Sequence, residues 1–321
     1  MTDTAFSTLT KRLQLPAIGA PMFLISNPDL VIAQCKAGII GTFPALNARP
    51  SSMLAEWLER INDELAAHDK ANPDNPSAPF AVNLIVHKSN PRLEEDLELC
   101  VKHRVPVVVT SLGAREDVNS RVKGYGGIVL HDVINNRFAH KAIEKGASGL
   151  IAVAAGAGGH AGVTSPFALI REIREWFDGP LALSGAISHG ASILAALACG
   201  ADLAYMGSVF IATHEANAAE AYKQMILDSS AKDILYTNQF TGVHGNYLIP
   251  SIIAAGLDPD NLPGSNPSAM DFGDNDASDA KAWRDIWGAG QGIGIIHEKA
   301  STADVVSRLK AEFITAKQRL T

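Results

Sequence analysis

Residues 144–151, EKGASGLI, are one of three versions of the same junction; the others are KAGII at 36–40 and ACGADLAY at 198–205. In each, a helix ends, a glycine (Gly38, Gly146 or Gly200) takes the left-handed turn that side chains resist, and a buried strand begins. Working outward, apolar β-rich runs predict strands near Ile18–Met22, Ile39–Pro44, Phe80–Val86, Val105–Ser111, Gly127–His131, Leu150–Ala154, Leu181–Ser184 and Leu203–Gly207. The runs are continuous rather than alternating, as in parallel strands covered on both faces. Between them lie helix starts such as Asn27-Pro28 and Ser165-Pro166, a capping residue followed by proline at the first helical position. Repeated βα units predict an α/β protein, a single (β/α)8 TIM barrel. An open doubly wound sheet is the competing architecture.

The spacing is uneven in two places. Residues 47–79 form a long connection whose part Ala71–Pro79 reads as a surface loop, rich in Pro, Asn and Ser. Residues 230–290 follow the eighth strand and read as a helical insertion plus loop capping the barrel, with a polar stretch at Asn261–Ser278. That segment is too broken to build its own core, so residues 1–321 are expected to form one domain. Thr302–Leu320 has the period of a closing helix.

With 321 residues the chain can bury a large core, and barrels of this size are ordinary. A net charge of −7 gives no basic footprint for nucleic acid. No basic amphipathic segment suits a membrane surface, and no run of about 18 apolar residues predicts a span. The N-terminus MTDTAFSTLTKRLQL lacks the apolar stretch of a secretory signal. A cytoplasmic location is expected. Cys35, Cys100 and Cys199 stand far apart, which suits buried thiols rather than a disulfide framework or zinc site.

In a barrel the chemistry belongs at the C-terminal ends of the strands. There the sequence places Pro21-Met22, Asn83, His131, the cluster AAGAGGHAG (154–162) with Gly159 and His160, Ser184-Gly185-Ala186, and Gly207-Ser208. Glycines let a backbone approach a flat ligand, and a histidine among them can serve as acid, base or donor. The turns after the seventh and eighth strands, LSGAIS (183–188) and MGSVF (206–210), present small residues where this fold binds phosphate. Gly185, Ala186, Gly207 and the Ser208 hydroxyl would hold it. GAGQGIG (288–294) and GAGGHAG look like dinucleotide fingerprints but open no βαβ unit with an acidic partner, so a Rossmann reading fails. The ten histidines are scattered, and no metal site is expected. Trp57, Trp176, Trp283 and Trp287 read as packing residues. His244 is set apart from the other histidines because its loop can reach the site.

These segments together carry a resemblance. APM after the first strand, FAVNL at the third, GIVLHDV at the fifth, AGAGGHAG after the sixth, LSGAIS, MGSVF-IAT and GAGQGIG resemble the nitronate monooxygenases, over nearly the whole chain. That family comprises FMN-dependent barrels and includes some quinone reductases and a flavin-dependent enoyl reductase. The resemblance implies FMN as cofactor and His160 as the active-site histidine. It implies Pro21 and Met22 against the flavin ring and Asn83 bonded to it. It implies Gly185, Ala186, Gly207 and Ser208 around the phosphate, and Gly290 and Gln291 in a late segment folding back to the flavin. Some relatives carry a lysine at the end of the fifth strand; here stands His131, which could stabilise reduced flavin only if protonated or as a neutral donor.

The activity so implied is oxidation of alkyl nitronates, or of nitroalkanes, by FMN and O₂ to a carbonyl compound and nitrite, with His160 as acid or base. The partners expected are a small nitronate and O₂, with a homodimer compatible with the family. Two alternatives stay open: an NAD(P)H-dependent reductase of quinones or enoyl thioesters, and a non-redox phosphate-ligand barrel such as a lyase or isomerase.

Overall fold

The computed structural model of the chain describes residues 4–262 and 286–320. Its strands are β1 (Ala17–Gly19), β2 (Gly41–Pro44), β3 (Phe80–Ile85), β4 (Val107–Ser111), β5 (Ile128–Val133), β6 (Gly149–Val153), β7 (Gly159–His160), β8 (Leu181–Ser184), β9 (Leu203–Met206), β10 (Ile234–Thr237) and β11 (Gly245–Leu248). Eight of them pair in parallel in the order β1-β9-β8-β6-β5-β4-β3-β2. A parallel bridge from Ile18 to Ile40 joins the two ends, so the sheet closes on itself. The closed ring is the (β/α)8 barrel, and the open doubly wound sheet is excluded.

The junction glycines do what their spacing predicts. Gly38, Gly146 and Gly200 have φ of +91°, +86° and +114°, the left-handed region in which a side chain is strained. Asn27 caps the helix Pro28–Lys36, its side-chain oxygen accepting from Leu30 N–H at 2.9 Å. Most of the long connection after β2 is a helix, Met53–Ala71, rather than irregular chain. It exists because Leu54, Leu58, Ile61 and Leu65 recur at helical spacing and are all buried.

Alternation along the strands divides the core in two. Ile18, Ile40, Ala81, Val107, Val109, Ile128, Leu130, Ile151, Ala182 and Leu203 point inward and fill the barrel. The intervening residues, among them Val82, Leu84, Val108, Val129, Val133 and Leu183, point outward and pack against the helices. Fully burying an aliphatic side chain is worth roughly 1.5–3 kcal/mol, so every strand contributes on both faces. The N-terminal helix Thr4–Thr10 with the turn after it packs Phe6, Leu9 and Leu13 against the inner core. At the C-terminal ends of the strands the inward positions turn polar: Asn83, Ser111, Asp132, Ser184 and Tyr205. The barrel is therefore apolar within and chemically equipped at one mouth.

The segment after β9 differs from its expected helix-and-loop character. It contains a β-hairpin, β10 paired antiparallel with β11, and β11 pairs on its other edge with β7. The short helix Ile249–Ala254 follows. Trp283 and Pro263–Ser278 of the polar stretch lie outside the described residues. Among the described residues no helix is long and apolar enough to cross a membrane. Trp57 meets Phe43 edge-on, Trp176 stacks on His140 and Trp287 stacks on Tyr222, as packing residues do. Cys35 and Cys100 are buried, while Cys199 is only half-buried.

Candidate active site

Two strand-to-helix turns at this mouth are shaped for an anion. After β8, Gly185 has φ +147°, and a Cβ there would stand 2.8 Å from the Ala155 carbonyl oxygen. Glycine alone satisfies both constraints. Ala186 follows at φ +53°, a left-handed position costing of order 1–3 kcal/mol in a residue with a side chain. It is held there by donation of its N–H to Gly156 O at 3.2 Å. After β9, Gly207 precedes the short helix Ser208–Ile211. The N–H groups of Gly185, Gly207 and Ser208 carry no hydrogen bond to another described residue, which leaves them as donors for a ligand. The Ser208 hydroxyl oxygen accepts from Gly290 N–H at 2.8 Å, which leaves its own proton for a ligand. These turns, Gly156–Gly158 and Gly292 line one cavity. A wider surface depression lined by Arg115, Glu116, Asp117 and Lys145 is open and polar, and includes none of the mouth residues.

The glycine loop is pinned over the cavity from outside. In β7, Gly159 pairs with Asn246 and His160 with Gly245. Asn246 is buried and donates from Nδ2 to Ala157 O at 2.6 Å. Ala161 N–H donates to His244 O at 3.1 Å, and the Tyr236 hydroxyl donates to Ala161 O at 2.9 Å. His160 is half-buried, with Nε2 3.0 Å from the Thr241 hydroxyl oxygen. That hydroxyl also lies 3.1 Å from Val243 O, to which it can donate, and beside the Tyr247 phenol. Donation to Val243 O assigns the imidazole the tautomer with its proton on Nε2 and its lone pair on Nδ1. Burial pushes His160 down to about 4, so the ring is neutral at pH 7.

The other expected residues gather at the same mouth, with one exception. Met22 follows β1 beside Gly207, where a Cβ would meet its Sδ at 3.6 Å; Pro21 is half-buried next to it. Asn47 fastens this turn, donating to Met22 O at 3.0 Å and Ser26 O at 2.8 Å and accepting from Leu24 N–H at 3.0 Å. Asn83 points inward from β3 and donates to Ser111 Oγ at 2.8 Å and Val109 O at 3.2 Å. Ser184 ends β8. Gly290 sits against the glycine loop, and Gln291 N–H donates to Gly156 O at 2.9 Å, so GAGQGIG does fold back onto the site.

The exception is His131. Val129 and Val133, two residues either side of it, belong to the outer packing layers, and His131 shares their face. It is 5 % exposed, and its Nδ1 lies 2.6 Å from the hydroxyl of Thr110, another outward residue. Burial pushes it down to about 4, so it is an uncharged residue behind the barrel wall. The expected place of His131 is among the mouth residues; in the structure its side chain lies on the outer face of the barrel wall. Asp132 occupies the inward position at the end of β5, beside Ser111, and burial pushes its carboxyl up to about 6.

Asp132, Thr241, Asn246 and Asn47 thus belong to the site or its frame and were not among the sequence candidates. Asp132 was adjacent to one. Thr241 and Asn246 lie in TGVHGNYLIP, whose His244 was the only hint; its side chain is exposed and stacks on Tyr236, and its backbone does the work.

A sequence profile described as nitronate monooxygenase matches residues 89–312. A curated nitronate monooxygenase from Paraburkholderia phytofirmans is 26 % identical over 340 residues, covering 92 % of each chain. Among solved structures, a nitroalkane oxidase from Streptomyces ansochromogenes superposes with a TM-score of 0.79 at 22 % identity, covering 98 % of this chain and 100 % of that one. FabK from Thermotoga maritima superposes with a TM-score of 0.76 at 21 % identity, covering 100 % and 99 %. At such identities the two structures bear on the fold alone, which they share end to end. The profile, spanning well over half of the sequence, decides the family: the chain belongs to the nitronate monooxygenases and is an oxidoreductase.

Proposed function

We propose that the protein binds FMN at this mouth and oxidises alkyl nitronates with O₂. The cavity's donors fit a phosphate: the N–H groups of Gly185, Gly207 and Ser208 and the Ser208 hydroxyl all belong to residues that line it. The residues around it fit a flat ring system, with Met22 and Pro21 to one side, Asn83 among the inward polar groups and the glycine loop above. When bound, FMN supplies electron transfer between the nitronate and O₂.

The observation that carries the catalytic reading is the state of His160. Its Nε2 proton is held by Thr241 and its lone pair is on Nδ1, in a ring that burial keeps neutral. Such a ring takes a proton; it does not offer a positive charge. His160 therefore acts as the base toward the carbon acid of a nitroalkane, and its cationic form, which would pair with a nitronate, is scarce at neutral pH. Asn246, Tyr236 and the β7–β11 pairing fix the loop that carries it, which limits the reorganisation required at each turnover.

The test is His160→Asn, assayed with a nitroalkane and with the preformed nitronate. Turnover of the nitroalkane falls 10²-fold or more, the usual range for losing a positioned base, while nitronate turnover falls much less. Full retention of both activities removes His160 from the chemistry.

A further inference from the structure

We propose that Asp132 is the proton-holding carboxyl of the flavin site, neutralising the charge that reduction leaves on the bound cofactor; this rests on the FMN reading above. The inward side chains at the ends of β3, β4 and β5 form a polar row. Asn83 donates to Ser111 Oγ at 2.8 Å, and Ser111 stands at the inward position beside Asp132, where its hydroxyl favours the charged carboxylate. Asn83 is one of the groups expected at the flavin ring, so the row runs from the ring's edge to a titratable group. Across the mouth stands Tyr205, which lines the phosphate cavity and feels the Asp132 charge. The barrel around them is dry below, since Leu130 and Ile151 are buried in the inner core.

Among the described residues, the groups at the inward positions around Asp132 are few. Ser111 comes from β4, Val153 from β6 and Tyr205 from β9; His131, on its own strand, points the other way. Tyr205 is itself raised well above the phenol range by burial and by Asp132, so it stays neutral. The influences on the Asp132 carboxyl are burial, which raises it to about 6, and the Ser111 hydroxyl, which opposes that. A carboxyl poised there accepts a proton when negative charge arrives nearby.

The step balances as follows. With FMN bound, dithionite, itself oxidised to sulfite, would supply an electron pair, and the cofactor would gain one proton and keep one negative charge. The Asp132 carboxylate takes one further proton from solvent and becomes a neutral acid. The charge of the site is unchanged overall.

The experiment uses the yellow holoenzyme under anaerobic conditions. Protons taken up per electron pair are counted with a pH indicator during dithionite titration at pH 7.5, and the absorbance of oxidised FMN is followed from pH 5 to 8. Asp132→Asn takes up about one proton fewer and loses the absorbance transition that the wild type shows. Ser111→Ala, which removes the donor favouring the charged form, moves that transition to higher pH and guards against an Asp132→Asn variant that fails to fold. Unchanged proton uptake in Asp132→Asn, or an unmoved transition in Ser111→Ala, overturns the proposal. A colourless wild-type preparation overturns the flavin reading instead.

Discussion

Gly158 offers a sharp test of how the cavity is assembled. A Cβ at this position would lie 2.8 Å from Gly290 N, 3.0 Å from Ala289 C and 3.2 Å from Ser208 Oγ. Two of the three are backbone atoms, so Gly158→Ala has no flexible neighbour to push aside. Gly158 is exposed and its φ lies outside the left-handed region, so the effect is crowding rather than lost backbone freedom. Overpacking of this kind costs about 1–3 kcal/mol. The strain is relieved by moving Gly290 off Ser208 Oγ, a 2.8 Å contact that helps position the hydroxyl of the phosphate cradle. At about 1.4 kcal/mol per decade, FMN should bind roughly 5- to 150-fold more weakly. The assay is quenching of FMN fluorescence on titration with flavin-stripped protein. Gly124→Ala is the control, because a Cβ there meets nothing within 4 Å. Wild-type FMN affinity in Gly158→Ala would refute the proposed role of the Gly158–Gly290–Ser208 contact.

Three further outcomes are expected. Thr241→Val removes the acceptor for His160 Nε2; nitroalkane turnover should fall about tenfold, a hydrogen bond's worth, with less effect on a preformed nitronate, and equal loss on both would contradict the tautomer assigned. His131 has a folded value of about 4 against an ordinary 6.5, so the unfolded chain binds more protons between these limits and the stability it confers is lost as pH falls from about 6.5 to about 4. At 1.36 kcal/mol per unit that is about 3 kcal/mol, and urea unfolding of His131→Gln should be correspondingly less acid-sensitive over that window. Asp132 has the opposite sign: its folded value of about 6 exceeds the ordinary 3.8, so its contribution is present below 3.8 and lost as pH rises through 6. Asp132→Asn should stabilise the flavin-stripped protein at pH 7.5 by up to about 3 kcal/mol and give no gain at pH 4; destabilisation at pH 7.5 would argue against a buried carboxyl under tension.

The barrel was legible because its signals are local. Gly38, Gly146 and Gly200 mark a backbone conformation that no neighbour needs to specify, and Asn27-Pro28 caps a helix with its own atoms. The turns holding Gly185 and Gly207 were legible for the same reason. The phase of the strands was not. In GIVLHDV every residue before the histidine is glycine or aliphatic, because parallel strands are covered on both faces, so nothing in the run says which parity faces the axis. His131 therefore stood in for Asp132, and the choice is settled only by register with β4 and β6. The hairpin of β10 and β11 was missed because its partner, β7, is two residues long and lies about 80 positions upstream. Pairing of that kind depends on tertiary placement, not on local propensity. Once paired, it sets the hydrogen bond from His160 to Thr241, and with it the tautomer.

FMN bound at this mouth is proposed to serve nitronate oxidation. Anaerobic mixing of the purified yellow protein with an alkyl nitronate, NADH and NADPH in turn, with the flavin absorbance followed in time, tests it most directly. Rapid bleaching by the nitronate and none by either nicotinamide is the expected result. A colourless protein, or a flavin bleached by NADH or NADPH but not by the nitronate, would contradict it.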